Sequence, residues 1–108
     1  MAQNFRRYTS NDVGTSAATL FTADSYDTIV GISLANVTAS AINVSVYIND
    51  GANDIYLVKD SPIVQGSTMQ VLDGGAKYVV QTGDTLKVVS DTASSVDVWV
   101  STVDAIST

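Results

Sequence analysis

Hydrophobic and polar residues alternate along much of this chain with a period of two, the spacing that lays one face of a strand on a core and the other in water. Residues 42–49 carry it most sharply, with Ile42, Val44, Val46 and Ile48 on one parity and Asn43, Ser45, Tyr47 and Asn49 on the other. Residues 28–36 set Val30, Ile32 and Leu34 against Ile29, Gly31, Ser33 and Ala35. Residues 96–103 set Val96, Val98 and Val100 against Asp97, Trp99 and Ser101. Shorter strands are predicted over 17–23, 55–59, 68–72, 77–81 and 86–90. Residues 1–16 read as an N-terminal arm or edge strand ahead of a single domain over 17–108.

Turn chemistry falls between these segments. Asp50, Gly51, Ala52, Asn53 and Asp54 supply positive-φ and self-bonding residues, which predicts a hairpin into 55–59. Pro62 is placed after that strand, where a missing donor does least harm. Gly66-Ser67, Gly74-Gly75 and Thr82-Gly83-Asp84 mark the later turns. Eight or nine short strands with turns at this spacing predict an all-β, antiparallel β-sandwich of jelly-roll type, because each sheet has one apolar face to bury.

Composition sharpens the picture. A chain of 108 residues has room for one core, and all eleven acidic residues are Asp, so helix formers are scarce beside the many β-branched residues. The formal net charge is −6, with Arg6, Arg7, Lys59, Lys77 and Lys87 the only cations, which excludes a large basic surface for nucleic acid. No apolar run reaches the roughly 18 to 20 residues that span a bilayer, and residues 1–8 lack the apolar stretch of a secretory signal. A soluble protein made in a cytoplasm is expected. The chain has neither cysteine nor histidine, which removes Ser-His-Asp and Cys-His catalysis and the common zinc sites. No catalytic residue, cofactor or metal is expected.

The Asn49, Asp50, Asn53 and Asp54 cluster offers oxygen ligands for calcium, but the same residues are those a hairpin turn requires, and the turn is the stronger reading. Gly83-Asp84 reads as a turn before a strand, and the eleven Asp single out no glycosidase pair. Asn36-Val37-Thr38 and Asn43-Val44-Ser45 fit the glycosylation pattern by chance in a Ser/Thr-rich chain. Arg6 and Arg7, flanked by Phe5 and Tyr8, form either a solvated end or an arm lying on an acidic neighbouring subunit. Tyr47 and Trp99 stand on the outward parity of strands whose other parity is aliphatic. A large aromatic there marks a subunit contact, a surface covered within the monomer, or a sugar-stacking platform. The candidate interface is therefore Phe5, Arg6, Arg7, Tyr8, Tyr47 and Trp99.

Three stretches carry a resemblance. The opening AQNFRRYTSNDVGTSAATLFTA, the segment Pro62-Ile63-x-x-Gly66-Ser67-Thr68, and the closing Gly83-Asp84-x-Leu86-x-Val88-x-Ser90 with Ala93-Ser94-Ser95-Val96-Asp97-Val98 resemble small virion structural proteins of tailed phages, particularly marine and cyanobacterial ones. The resemblance spans nearly the whole chain, in turn-and-strand motifs with no site chemistry. It implies a non-enzymatic particle component: a capsid decoration protein, a neck or tail accessory, or a carbohydrate-binding part of a host-recognition fibre. Its expected partners are copies of itself, as a homo-oligomer, and other phage particle proteins, within a virion assembled in the host cytoplasm. A small domain without disulfide or metal gains stability by such assembly.

Overall fold

The computed structural model describes residues 4–71 and 77–104, so residues 1–3 of the N-terminal segment and the Gly74-Gly75 turn lie outside the described residues. The described residues form nine strands: β1 (Asn4–Val13), β2 (Ala18–Thr22), β3 (Asp27–Asn36), β4 (Ile42–Asn49), β5 (Asp54–Ile63), β6 (Thr68–Gln70), β7 (Tyr78–Val80), β8 (Thr85–Ser90) and β9 (Val96–Asp104). One sheet has the order β1-β9-β3-β6, with β7 pairing β3 beside β6, and the other has the order β2-β8-β4-β5. All pairings are antiparallel.

Taken as one interrupted strand, β6 and β7 make the topology a nest: first with last, second with next to last, third with the interrupted strand, and β4 with β5 at the centre. That is a long hairpin rolled into two sheets, the jelly-roll arrangement. Each sheet turns an aliphatic face inward. Ile29, Ile32 and Leu34 of β3 and Val96, Val98 and Val100 of β9 meet Val44 and Val46 of β4 and Leu86 and Val88 of β8, all buried.

Buried side-chain hydrogen bonds fasten the ends. The Asn36 amide donates to the carbonyls of Ser40 (2.8 Å) and Ile63 (2.9 Å), while its Oδ1 accepts from the Thr38 N–H and hydroxyl, which ties the β3–β4 connection to the end of β5. Ser90 and Ser95 bond hydroxyl to hydroxyl at 2.6 Å beside the chain at Val13. Gly14 occupies this crowded corner because a Cβ would sit 3.1 Å from the Ser94 nitrogen. Among the described residues no buried side-chain polar atom lacks a partner, as a fully packed sandwich requires.

Two expectations from the sequence are corrected. The register of β3 against β9 shifts between Ile29 and Gly31, and this bulge reverses parity: Ile29 is fully buried, while Val30 is displaced towards the outer face. Pro62 lies within β5, opposite Asn43, and not beyond it. It is tolerated because β5 pairs only with β4 and so leaves one edge open. Within the segment read as an arm or edge strand, residues 4–13 form β1, an edge strand paired with β9 from Asn4 to Ser10 and again at Val13.

Candidate functional site

The register defines the outer face of the five-stranded sheet row by row. Phe5 aligns with Val103, Val103 with Thr28, and Thr28 with Val79. The next row runs Arg7, Ser101, Gly31, and the one after it Thr9, Trp99, Ser33, Gln70. Asp97, Ala35 and Thr68 follow. Large apolar groups, Phe5 and Val79 on edge strands and Trp99 on β9, thus stand beside the small residues Gly31, Ser33 and Ser101. Phe5 is 82% exposed, Val79 64% and Trp99 52%. Exposed apolar groups gathered on one sheet face mark a contact surface more strongly than scattered ones.

Trp99 and Arg7 form a ridge on this face, with the Arg7 guanidinium over the indole, 5.3 Å from its centroid. A cation over an aromatic face is attracted by the ring quadrupole, and here it steadies an indole that the sheet leaves in water. On one side of the ridge lies an open groove of about 450 Å³, lined by polar groups of Thr9, Ser10, Asn11 and Asp97. On the other lies a more apolar groove of about 340 Å³, bounded by Phe5, Val30 and Ser101. The first is shaped by a bulge between Ser10 and Val13, where Asp12 takes a positive φ of 54° and its N–H donates to Asp97 Oδ1 at 3.0 Å. Aspartate tolerates this left-handed conformation better than most residues.

The six candidate interface residues part company. Phe5, Arg7 and Trp99 come together on the outer face. Arg6 shares the opposite parity of β1, yet this edge position leaves it exposed, bordering the apolar groove. Tyr8 turns inward, partly buried, and stacks on Phe21 of the opposite sheet at 4.6 Å, packing against the core. Tyr47 does point through the outer face of the four-stranded sheet, but only 9% of it is exposed. Tyr56, its cross-strand partner, packs on it with ring centroids 5.0 Å apart, and Lys59 caps Tyr56 at 4.4 Å. Desolvation raises the Tyr47 phenol above its ordinary pKa, with the Asp54 charge and then Tyr56 adding to the shift. Val30, Val79 and the Gly31–Ser101 floor escaped sequence reasoning, since only the bulge and the cross-strand register bring them to this face.

The acidic turn after β4 spends its oxygens on itself. Asp50 Oδ1 accepts the N–H groups of Ala52 and Asn53, Asn49 Oδ1 accepts that of Gly51, and the Asn49 amide donates to Asp54 at 2.7 Å. No group of three or more metal-ligating side chains occurs among the described residues.

No protein-family model matches the sequence, and no curated protein matches it. Among solved structures the chain is similar to one from Bacillus endospore appendages, described as a novel family of disulfide-linked pili. The TM-score is 0.54 with 15% identity, over 94% of this chain and 84% of that one. At that identity the likeness is one of fold. The present chain has no cysteine with which to form a disulfide link.

Proposed function

We propose that the chain is a non-enzymatic structural subunit of a tailed-phage particle, a head decoration protein present on the shell in many copies. The observation that carries this reading is the outer face of the five-stranded sheet, where Phe5, Val79 and Trp99 stand exposed beside the small residues Gly31, Ser33 and Ser101. A monomer gains nothing from leaving such groups in water, whereas an assembling subunit buries them. The likeness in fold to a pilus protein accords with self-association, because that chain belongs to an assembly. With no cysteine, assembly by this chain involves no disulfide link. The lack of both histidine and cysteine weighs against Ser-His-Asp and Cys-His hydrolysis.

The test is to locate the chain in intact particles by gold labelling of a tagged copy. Regular label over the head surface is expected, label at the neck or tail would reassign it as an accessory there, and its absence from particles overturns the reading.

A second reading has its own observation. The polar groove beside Trp99 sets Asn11, Asp97 and Thr9 next to an indole, a combination that suits a sugar ring, with one apolar face and hydroxyls at its rim. A glycan array with the isolated chain decides it: specific binding favours a carbohydrate-binding module of a host-recognition fibre.

A further inference from the structure

We infer that the outer face of the five-stranded sheet is a two-fold contact between copies, in which Trp99 of each chain enters the Gly31–Ser101 floor of the other. The inference rests on the reading of the chain as a multi-copy subunit, and adds to it the partner and the geometry of the contact.

The face carries a projection and a recess one row apart. Trp99 and Ser101 are successive outward residues of β9, and Ser101 lies opposite Gly31. Apart from its chain neighbours, a methyl group placed on Gly31 would meet only the Ser101 Cβ within 4 Å, at 3.9 Å, so the adjoining strand leaves room for it. Ser101 lines the more apolar groove with Phe5 and Val30, Gly31 stands opposite Ser101 at its side, and at about 340 Å³ the groove is large enough to receive a ring system. In a two-fold contact each residue i that meets j is matched by j meeting i, so projection and recess must lie on the same face, offset across the axis. An axis running across the strands between the Trp99 and Ser101 rows superposes each row on the other. Stacked sheets stand about 10 Å apart, a gap that small residues on both sides leave empty and an indole from each copy fills.

Charge agrees with shape. Of five cations in a chain with eleven Asp, Arg7 stands on the Ser101 side of this axis and Asp97 on the Trp99 side. The two-fold turns Arg7 of one copy towards Asp97 of the other, twice over. Opposite charges so placed fix register and exclude a parallel stacking that would set like on like. Four strands by eight residues cover about 500 Å² per copy, or about 1,000 Å² in total, at the lower limit for a specific interface. Association in solution is therefore weak and concentration-dependent, and many copies on one surface strengthen it.

Sedimentation equilibrium of the full chain provides the test, with thermal unfolding as a check on the fold. Gly31→Val fills the recess from a position with ordinary strand backbone, and Trp99→Ala removes the projection. Each is expected to weaken dimerisation at least tenfold while the unfolding transition is kept. Arg7→Asp is expected to weaken it, and Arg7→Asp with Asp97→Lys to restore it in part. Because the chain has no cysteine, Ser101→Cys gives a single thiol beside the axis, which a short bis-maleimide is expected to couple to its own copy. A chain that stays monomeric at millimolar concentration overturns the inference, and so does a dimer indifferent to Gly31→Val that fails to couple through Ser101→Cys. If particles carry the chain but this contact fails, the contact alone falls. If the contact holds and particles lack the chain, the particle reading alone falls.

Discussion

Strands β4 and β9, one in each sheet, both carry a large aromatic on the parity that faces away from the core, and the structure treats Tyr47 and Trp99 in opposite ways. Tyr47 lies beneath Tyr56 and Lys59, in a face where Ser45 also holds the Asp60 backbone N–H at 2.9 Å. Trp99 has Thr9 and Ser33 as its cross-strand neighbours, and neither is large enough to cover an indole. The Arg7 guanidinium reaches over it, and Trp99 remains half exposed. Strand parity decides which way a side chain points, but the residues one strand away decide whether it stays wet. The four-stranded sheet covers Tyr47 with its own side chains, leaving Tyr56 above it 42% exposed, whereas Trp99 of the five-stranded sheet is itself 52% exposed.

The edges repeat the contrast. β5 is interrupted by register shifts against β4, by Asp60 at a φ of 50°, and by Pro62, all devices that blunt an edge against unwanted pairing. β1 carries a single irregularity, between Ser10 and Val13, and pairs continuously from Asn4 to Ser10.

The comparison breaks most readily at its two aromatics. Tyr47→Ala removes a buried ring and is expected to destabilise the monomer by about 3 kcal/mol, while Trp99→Ala is expected to cost it about 0.5 kcal/mol or less. Urea midpoints measured at concentrations below self-association give both numbers. Equal costs would show that the two outer faces do not differ.

A sharper version stays within one strand. Val98 is buried and Trp99, its neighbour, is half exposed. Val98→Ala is expected to cost about 2 kcal/mol through lost burial and a small cavity. It should leave the self-association of the folded fraction intact, whereas Trp99→Ala does the reverse. If Trp99→Ala unfolds the chain and Val98→Ala disturbs only assembly, the two faces have been assigned the wrong way round.

These neighbours also show how far the sequence reaches. Strict alternation in 42–49 and 96–103 made the inward faces of β4 and β9 legible, because a period of two with β-branched residues has few other structural meanings. It also gave Trp99 its direction. What alternation does not carry is register. The bulge at Ile29–Gly31 exchanged the roles of Ile29 and Val30, and nothing local in Thr28-Ile29-Val30-Gly31 announces it. The cover over Tyr47 comes from a residue nine positions away, and Tyr8 finds Phe21 only once β1 closes over the opposite sheet. Both depend on pairings that a single strand does not encode.

A smaller effect probes how the covered face is held. The Ser45 hydroxyl accepts the Asp60 N–H at 2.9 Å and donates to its carboxylate at 3.4 Å. Ser45→Ala leaves that part-buried N–H without this partner in a backbone conformation unfavourable for most residues. It is expected to cost about 1 kcal/mol, read from thermal unfolding, with no change in self-association. Loss of the dimer in this variant would mean that the four-stranded sheet takes part in the contact.

The smallest expected effect separates the regions by pH. Asp50 and Asp91 lie at opposite ends of β4, and both carboxyls are held below their ordinary value. For Asp50 the cause is chiefly the Asn53 N–H, then that of Ala52. For Asp91 it is the N–H of Asn43, then the Thr92 hydroxyl. A carboxyl whose pKa is lower folded than unfolded binds more protons in the unfolded chain, so stability rises with pH across the interval between the two values. Its contribution is complete above the unfolded value, taken as the ordinary 3.8, and is lost as pH falls from there through the folded value. Both groups are fully exposed, so solvent screening keeps the effect small. Unfolding transitions followed from pH 6 to pH 2 are expected to be flat down to about pH 4 and to decline below it. In the Asp50→Ala, Asp91→Ala double variant the decline should be shallower. A double variant as acid-sensitive as the parent would show that these bonds do not anchor the ends of β4, and that the covered sheet owes its order to the Tyr47–Tyr56 packing alone.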